Sequence, residues 1–257
     1  MELIASTVTV QDFFTFQKNL PHSGQSSSLF YPGVHHYSIP RFQREYTWGS
    51  GRVDDLVRDI SAHDKLLGMV TLNYVDSTYD IVDGQQRITS LQIILAALFN
   101  AFARPTDAEP NREQKTLLDL IFPDQHPVLI NKSIGTWMKL SGNHIDLCID
   151  SQYDVYHQKQ IFTERWDQVT KMINQLGSLT DFRKKLLDCK LLVLICESLS
   201  GVYSAEQIFL DMNDKTRPLD PEDIFKGYCF NLCNARFHDE LKEKWGRLKE
   251  NFFQLST

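Results

Sequence analysis

The sequence predicts an α+β protein, with an N-terminal core followed by a mainly helical region that contains a few short strands. Its first hundred residues alternate between short β-favouring runs and amphipathic helices, in the order β-α-β-β-α. A later run, "LLVLICES", is apolar and β-favouring throughout, which is typical of a central strand. The 257 residues are 42% hydrophobic and 23% charged, an ordinary globular composition with enough chain to bury a sizeable core.

Local patterns predict the N-terminal elements in order. "VTVQDFFTFQKNL" predicts a short amphipathic helix that begins near Thr9 or Gln11, and the Ser/Gly/Pro-rich stretch after it predicts a loop. "HHYSIP" predicts a short strand that ends at Pro40. Apolar residues at helical spacing predict a helix over "GSGRVDDLVRDISAH". "KLLGMVTLNYVD" and "YDIV" predict a hairpin, and residues 85–103 predict a long helix after it.

A polar, Pro-containing stretch, "ARPTDAEPNREQ", predicts a domain boundary. We therefore expect a first domain at residues 1–103 and a mixed, mostly helical second domain at residues 104–257. Within the second domain, "VLINKS", "TWMKLS" and "IDLCID" predict short strands. Residues 155–177 predict a helix with one apolar face, and residues 205–253 are expected to be mostly helical.

Charge and cysteine content limit the classes of protein that fit. The net charge of −6 argues against a generally basic nucleic-acid binder, although a local basic patch stays open. Five cysteines, an odd number, indicate reduced thiols and a cytoplasmic protein. The N-terminus lacks the pattern of a signal peptide, and the longest apolar stretch is too short and too polar to span a membrane, so no membrane partner is expected.

The stretch "IVDGQQRIT" predicts a strand, a tight turn and a helix start. Asp83-Gly84 suits a turn that needs a positive φ, which glycine adopts without strain. The first amides of the following helix lack intrahelical partners and lie at the positive end of its dipole. Such a turn is an anion-binding site in many proteins. The alternative is an ordinary turn in which Asp83 caps the helix.

The polar residues of this stretch suit phosphate chemistry. Arg87 lies in the first helical turn, where a bound phosphate would offset its unfavourable position. Gln85 and Gln86 could orient a water molecule or bind a base edge. Asp83 could hold Mg²⁺ or accept a proton from an attacking water. The alternative is that the glutamines and the arginine are simply solvated.

Two further clusters carry residues that suit a nucleotide. In "IPRFQREYTW", Arg41 and Arg44 suit phosphate, and the neighbouring aromatic side chains suit base stacking. The alternative there is an irregular strand over a small aromatic core. In residues 208–230, a well-capped helix–loop–helix explains nearly everything except Asn213 and Lys226.

Taken together and in order, four blocks resemble the N-terminal domain of the GmrSD type IV restriction family. The blocks are "IPRFQREYTW", "LLGMVTL", "YDIVDGQQRITSLQIILAAL" and "IFLDMNDKTRPLDPEDIFKG". The resemblance is strong over residues 38–102 and reasonable over residues 204–230. It implies a ParB/sulfiredoxin-like first domain that binds and hydrolyses NTP. In the family this domain is commonly followed by an HNH nuclease domain that cuts modified foreign DNA.

The resemblance also implies functional residues by matching position. The implied catalytic residues are Asp83, Gln85, Gln86 and Arg87. The implied nucleotide-binding residues are Gln43, Arg44, Tyr46, Gly84 and Thr89. The implied contribution of the second domain comes from Asn213, Asp223 and Lys226. The expected metal ligand is Asp83, because carboxylate oxygens bind Mg²⁺. The downstream motif departs from the usual N-D-R-G, because Lys215 and Thr216 follow Asn213-Asp214.

The expected function is therefore that of an NTP-binding and NTP-hydrolysing regulatory domain in a modification-dependent restriction and phage-defence system. Such an enzyme would be a Mg²⁺-dependent NTPase. The alternatives are a non-hydrolysing sensor of DNA or nucleotide that controls a separate nuclease, and a scaffold. No HNH domain is expected in this chain, so no nuclease activity is expected from it alone. The expected partners are a nucleotide, DNA and an HNH nuclease domain or subunit, and a homo-oligomer stays open.

Overall fold

A computed structural model describes residues 2–17, 19–20, 27–62, 65–104, 106, 108–149, 156–197, 226–227, 229–230, 232–233 and 235–255. The strands, numbered in chain order, are β1 Glu2–Thr9, β2 Asn19–Leu20, β3 Ser27–Ser28, β4 Tyr37–Ile39, β5 Leu66–Val75, β6 Thr78–Asp83, β7 Leu129–Asn131, β8 Met138–Ser141, β9 His144–Leu147 and β10 Lys190–Glu197. The helices are α1 Val10–Thr15, α2 Ser50–Ala62, α3 Gln85–Ala101, α4 Arg112–Ile121, α5 Tyr156–Asn174, α6 Leu179–Asp188 and α7 His238–Leu255.

The predicted α+β class is confirmed, because helices pack on a mixed six-stranded sheet of order β1-β10-β5-β6-β4-β7. Strand β10 pairs antiparallel with β1 and parallel with β5, which confirms the central position predicted for "LLVLICES". Strands β5 and β6 form the predicted antiparallel hairpin. The remaining elements predicted within the described residues, α1 to α3, α5, β4 and β7 to β9, are also found near their expected positions.

The local patterns missed helices α4 and α6, and they also missed strand β1. Its sequence, "ELIASTVT", mixes small, polar and apolar residues and gives a weak strand signal. Its eight-residue pairing with β10 joins residues 2–9 to residues 190–197, which are far apart in the sequence. The pairing therefore depends on tertiary contacts that local periodicity does not contain.

The boundary predicted at residue 103/104 does not separate two sheets. Strands β7 and β10, which follow it, lie in the same sheet as β1, β4, β5 and β6, which precede it. Residues from both sides also share one hydrophobic core, such as Leu98 of α3 and Phe162 of α5. Helix α3 lies at the centre of this core, since every residue from 88 to 99 is buried.

The two faces of the sheet differ in character. Alternate residues such as Leu72, Ile81 and Ile195 face the main core, together with residues of helices α1 to α6. The residues between them face the other side, where Val82 and Cys196 form a small apolar cluster. No helix in the described part of the chain is long and apolar enough to cross a membrane.

Candidate functional site

The seam between β6 and α3, residues 83–87, has the geometry that Asp-Gly predicts. Strand β6 ends at Asp83, and Gly84 follows with a φ of 88° before α3 begins at Gln85. A Cβ atom at Gly84 would lie 3.0 Å from the Met69 carbonyl oxygen. The positive φ and this close approach therefore both disfavour any residue other than glycine. The prediction of a glycine turn with positive φ is confirmed.

The helix start leaves backbone amides outside the helical ladder. The N-cap of α3 is Gly84, which has no side chain with which to cap the helix, so Asp83 is not the cap. The first intrahelical bond runs from the Ile88 amide to the Gly84 carbonyl at 3.0 Å. The amides of Gln85, Gln86 and Arg87 precede that bond and are not used by the helix itself.

The two glutamines of the seam bind the backbone of a neighbouring segment, residues 41–48, which we call the FQR segment. Gln86 Oε1 accepts hydrogen bonds from the backbone amides of Thr47 at 2.8 Å and Trp48 at 3.2 Å. Its Nε2 donates to the Glu45 carbonyl at 2.8 Å. Gln85 Nε2 donates to the Arg44 carbonyl at 2.8 Å. Both glutamines are buried, so these contacts fix the segment against the start of α3.

Gln43 makes the reciprocal contact from the FQR segment. Its Nε2 donates to the carbonyls of Val82 at 2.6 Å and Ile81 at 3.2 Å, and the residue is 2% exposed. The hydrogen bonds therefore run in both directions between the segment and the seam. Two motifs that are about forty residues apart in sequence form one packed unit.

Tyr46 and Thr89 lie beneath this unit rather than at its surface. The Tyr46 hydroxyl hydrogen bonds to Ser90 Oγ at 2.7 Å, and its ring centroid lies 5.0 Å from that of Phe162. Burial raises the pKa of Tyr46 to about 12. Thr89 is also buried, at 2% exposed. In this arrangement both residues support the unit from within the core.

Gln158 of α5 is a residue of this unit that the sequence reasoning missed. Its Oε1 accepts from the Tyr46 amide at 3.0 Å, and its Nε2 donates to the Tyr46 carbonyl at 3.3 Å and to Glu45 Oε2 at 3.2 Å. The available signal was its place one turn before Phe162, on the apolar face of the predicted helix. A buried glutamine on such a face requires polar partners.

Arg87 lies across strand β5 beside Asp83. Its Nη1 donates to the Met69 carbonyl at 2.9 Å. Gly68 leaves room for the guanidinium, because a Cβ atom there would lie 2.7 Å from Arg87 Cζ. Burial lowers the pKa of Arg87, while the negative charge of Asp83 acts in the opposite direction. The sequence signal for Gly68 was a glycine inside an apolar strand.

Lys226 reaches the FQR segment from the second half of the chain. Its ammonium group donates to the Gln43 carbonyl at 2.8 Å and is largely buried. In the same segment, Arg41 forms an ion pair with Asp239 of α7. The other two residues expected from the second domain, Asn213 and Asp223, lie outside the described residues.

Asp83 is a single carboxylate rather than part of a metal cage. Among the described residues, no three His, Cys, Asp or Glu side chains lie close enough together to hold a metal ion. Mg²⁺ is usually bound by one or two carboxylates together with phosphate oxygens and water. A Mg²⁺ ion at Asp83 would therefore need oxygen ligands from phosphate or water as well.

One known family matches most of the chain. The family described as "GmrSD restriction endonuclease, N-terminal domain" matches residues 25–230, a range that includes the FQR segment, the seam and Lys226. No curated protein matches the chain. Because the match covers well over half of the sequence, the chain belongs to the family of GmrSD restriction endonuclease N-terminal domains.

Proposed function

We propose that this chain binds and hydrolyses NTP as a regulatory domain of a modification-dependent restriction system. Its family membership points to a role in a restriction system. The observation that supports nucleotide binding is the joining of the FQR segment to the seam by Gln43, Gln85 and Gln86. This joining supports the proposal because it brings together two sets of groups that suit phosphate.

The phosphate-binding groups come from both motifs. The seam supplies the amides of Gln85 to Arg87 at the positive end of the α3 dipole. The FQR segment supplies the half-buried Arg44, whose carbonyl is hydrogen bonded to Gln85. The Arg44 side chain therefore starts next to the helix N-terminus. Arginine suits phosphate because its planar guanidinium donates two hydrogen bonds at once.

The remaining residues take different parts in this proposal. Gln43, Gln85 and Gln86 act as positioning residues, since their amide groups bind backbone. Tyr46 and Thr89 support them from the core. Asp83 would hold a Mg²⁺ ion shared with the phosphates, and such an ion neutralises charge that develops on phosphate oxygens.

One observation favours the alternative, a non-hydrolysing sensor of nucleotide or DNA. Gln86, which could have oriented an attacking water, uses both its Oε1 and its Nε2 on the backbone of the FQR segment. This use of Gln86 supports binding more directly than it supports hydrolysis. Measurement of phosphate release separates the two functions.

The proposal is tested by titrating the protein with ATP, GTP, CTP and UTP in the presence of Mg²⁺, and separately with short duplex DNA. We expect a thermal shift with at least one NTP and release of inorganic phosphate. Asp83→Asn is expected to abolish phosphate release, whereas Asp59→Asn, on the exposed face of α2, serves as the matched control. Binding without phosphate release would favour the sensor, and a shift with DNA alone would contradict nucleotide binding.

A further inference from the structure

The second face of the sheet carries a row of buried polar side chains. Asn73 pairs with Asp80 across β5 and β6, and Asp80 pairs with Ser38 across β6 and β4. Thr71 lies two residues before Asn73 on the same face. We call Ser38, Thr71, Asn73 and Asp80 the polar row. Asp80 forms an ion pair with Lys132 at 3.3 Å.

Three atoms of the polar row have unused hydrogen-bonding capacity. Ser38 Oγ, Thr71 Oγ1 and Asn73 Oδ1 are buried and have no hydrogen-bond partner in the described part of the chain. Buried polar atoms nearly always have partners, so an unpaired group calls for an explanation. Two of these atoms lie on β5 and one lies on β4, on either side of β6. This face of the sheet therefore offers polar groups to a ligand.

Three cationic side chains lie near one another, since Arg41 and Lys226 both act on the charge of Lys242. They come from separate segments: Arg41 from the FQR segment, Lys226 from the second half of the chain, and Lys242 from α7. The Lys226 ammonium donates to the Gln43 carbonyl, and the Lys242 ammonium donates to the Ser133 carbonyl. We call these three residues the cation cluster. The Lys242 ammonium also lies near the carbonyl of Lys132, which is paired with Asp80 of the polar row.

Apolar contacts anchor the cation cluster to the second face. The sheet residues Val82 and Cys196 pack with Phe42, Phe230 and Leu241. Each of the last three is close in sequence to one cation. Phe42 directly follows Arg41. Phe230 lies four residues after Lys226, and Leu241 directly precedes Lys242. The cations are therefore held next to the seam, since Val82 immediately precedes Asp83.

The positive charges of the cluster act on one another. Burial and the positive charges of Arg41 and Lys226 lower the pKa of Lys242 to about 8. The carboxylate of Asp239, which pairs with Arg41, is 80% exposed, so solvent screens its charge. A bound anion would favour the charged form of Lys242 and relieve the repulsion among the three cations.

We propose that the cation cluster binds the phosphates of the nucleotide, and that Ser38, Thr71 and Asn73 hydrogen bond to the same ligand. This inference rests on the proposed function and adds Arg41 and Lys242 to its binding residues. The polar atoms of the row are buried, so the elements packed on this face must shift when the ligand enters. Because Lys242 belongs to α7, nucleotide occupancy would be coupled to the position of that helix.

The test compares charge removal at Lys242 with charge conservation. The probes are the NTP that the parent binds best and inorganic tripolyphosphate, each followed by isothermal titration calorimetry. Lys242→Met is expected to weaken both affinities by about tenfold or more, because it removes a charge-assisted hydrogen bond. Lys242→Arg is expected to retain binding. Lys244→Met, on the same helix but exposed and paired with Glu240, is the matched control and should bind like the parent.

Equal affinity of the parent and a folded Lys242→Met variant would overturn this inference alone. A parent that binds none of the four NTPs would overturn the proposed function and this inference with it. Melting temperatures are read first for every variant. If Lys242→Met does not fold, Arg41→Gln provides the same test. The Asp239 carboxylate that loses its partner in this variant is 80% exposed, so water can solvate it.

Discussion

Gln86 accepts a hydrogen bond from the backbone amide of Thr47 at 2.8 Å, and this bond fixes the FQR segment to the first turn of α3. The contact joins the two motifs on which the account of the site depends. A glutamine suits the position because one side chain supplies both an acceptor and a donor. Gln86 uses its donor on the carbonyl of Glu45 at 2.8 Å.

Replacement of Gln86 by leucine tests the structural part of the account. Gln86→Leu leaves the amides of Thr47 and Trp48 without their acceptor, so we expect the free energy of unfolding to fall by about 2 kcal/mol or more. Urea denaturation measures this change. Gln160→Leu, on the exposed side of α5, is the matched control and should change stability by less than about 0.5 kcal/mol. An unchanged Gln86→Leu protein would mean that these bonds do not hold the segment.

A side chain at Gly68 is expected to displace Arg87. Gly68 has a φ of 121°, and a Cβ atom there would lie 2.7 Å from Arg87 Cζ. The backbone strain should lower the free energy of unfolding of Gly68→Ala by about 1–3 kcal/mol. The guanidinium, the far end of a flexible side chain, should also leave the Met69 carbonyl, and nucleotide affinity should fall as a result.

Gly51→Ala is the matched control, because a Cβ atom at Gly51 in α2 meets nothing within 4 Å. Its free energy of unfolding should stay the same or rise, since alanine favours a helix more than glycine does. Chemical denaturation and nucleotide titration of both variants check these outcomes. A Gly68→Ala protein with the stability and affinity of the parent would contradict the position assigned to Arg87.

The lowered pKa of Lys242 predicts a dependence of stability on pH. The folded pKa is about 8, against 10.5 for the unperturbed group, so between these values the unfolded chain binds more protons than the folded chain. The contribution of Lys242 to the free energy of unfolding therefore rises as the pH increases from about 8 towards 10.5. Lys242→Met should lack this rise, and denaturation at pH 8 and pH 10 measures it.

The groups that surround Lys242 fix the sign of this prediction. Burial lowers its pKa most, and the positive charges of Arg41 and Lys226 lower it further. Asp239, one turn earlier on α7, is paired with Arg41. Lys132, whose carbonyl also lies near the Lys242 ammonium, is paired with Asp80. Identical pH profiles for the parent and Lys242→Met would show that Lys242 titrates like an exposed lysine.

Local sequence patterns predicted most of the elements around the site. Alternation and helical spacing depend on neighbours a few residues apart, so they predicted the β5–β6 hairpin and helix α3. The turn at Gly84 followed from Asp-Gly alone, because the need for a positive φ is a local property. These predictions required no knowledge of distant contacts.

The hydrogen-bond partners of the site could not be predicted in the same way. The sequence places Gln86 in the first turn of a helix, but its partners in the FQR segment depend on how the chain folds back. The same holds for Gln158 and Lys242, whose contacts lie about 110 residues away in sequence. The sequence shows that these residues are polar, and only the fold shows which groups they bind.

The most direct test of the central claim is isothermal titration of the Mg²⁺–NTP complex into the parent, Arg44→Ala and Arg87→Ala. If both arginines bind the phosphates of one ligand, each folded variant should bind at least about tenfold more weakly than the parent. Arg58→Ala, on the exposed face of α2, should bind like the parent. Folded Arg44→Ala and Arg87→Ala proteins that bind as tightly as the parent would contradict a shared phosphate site at the seam.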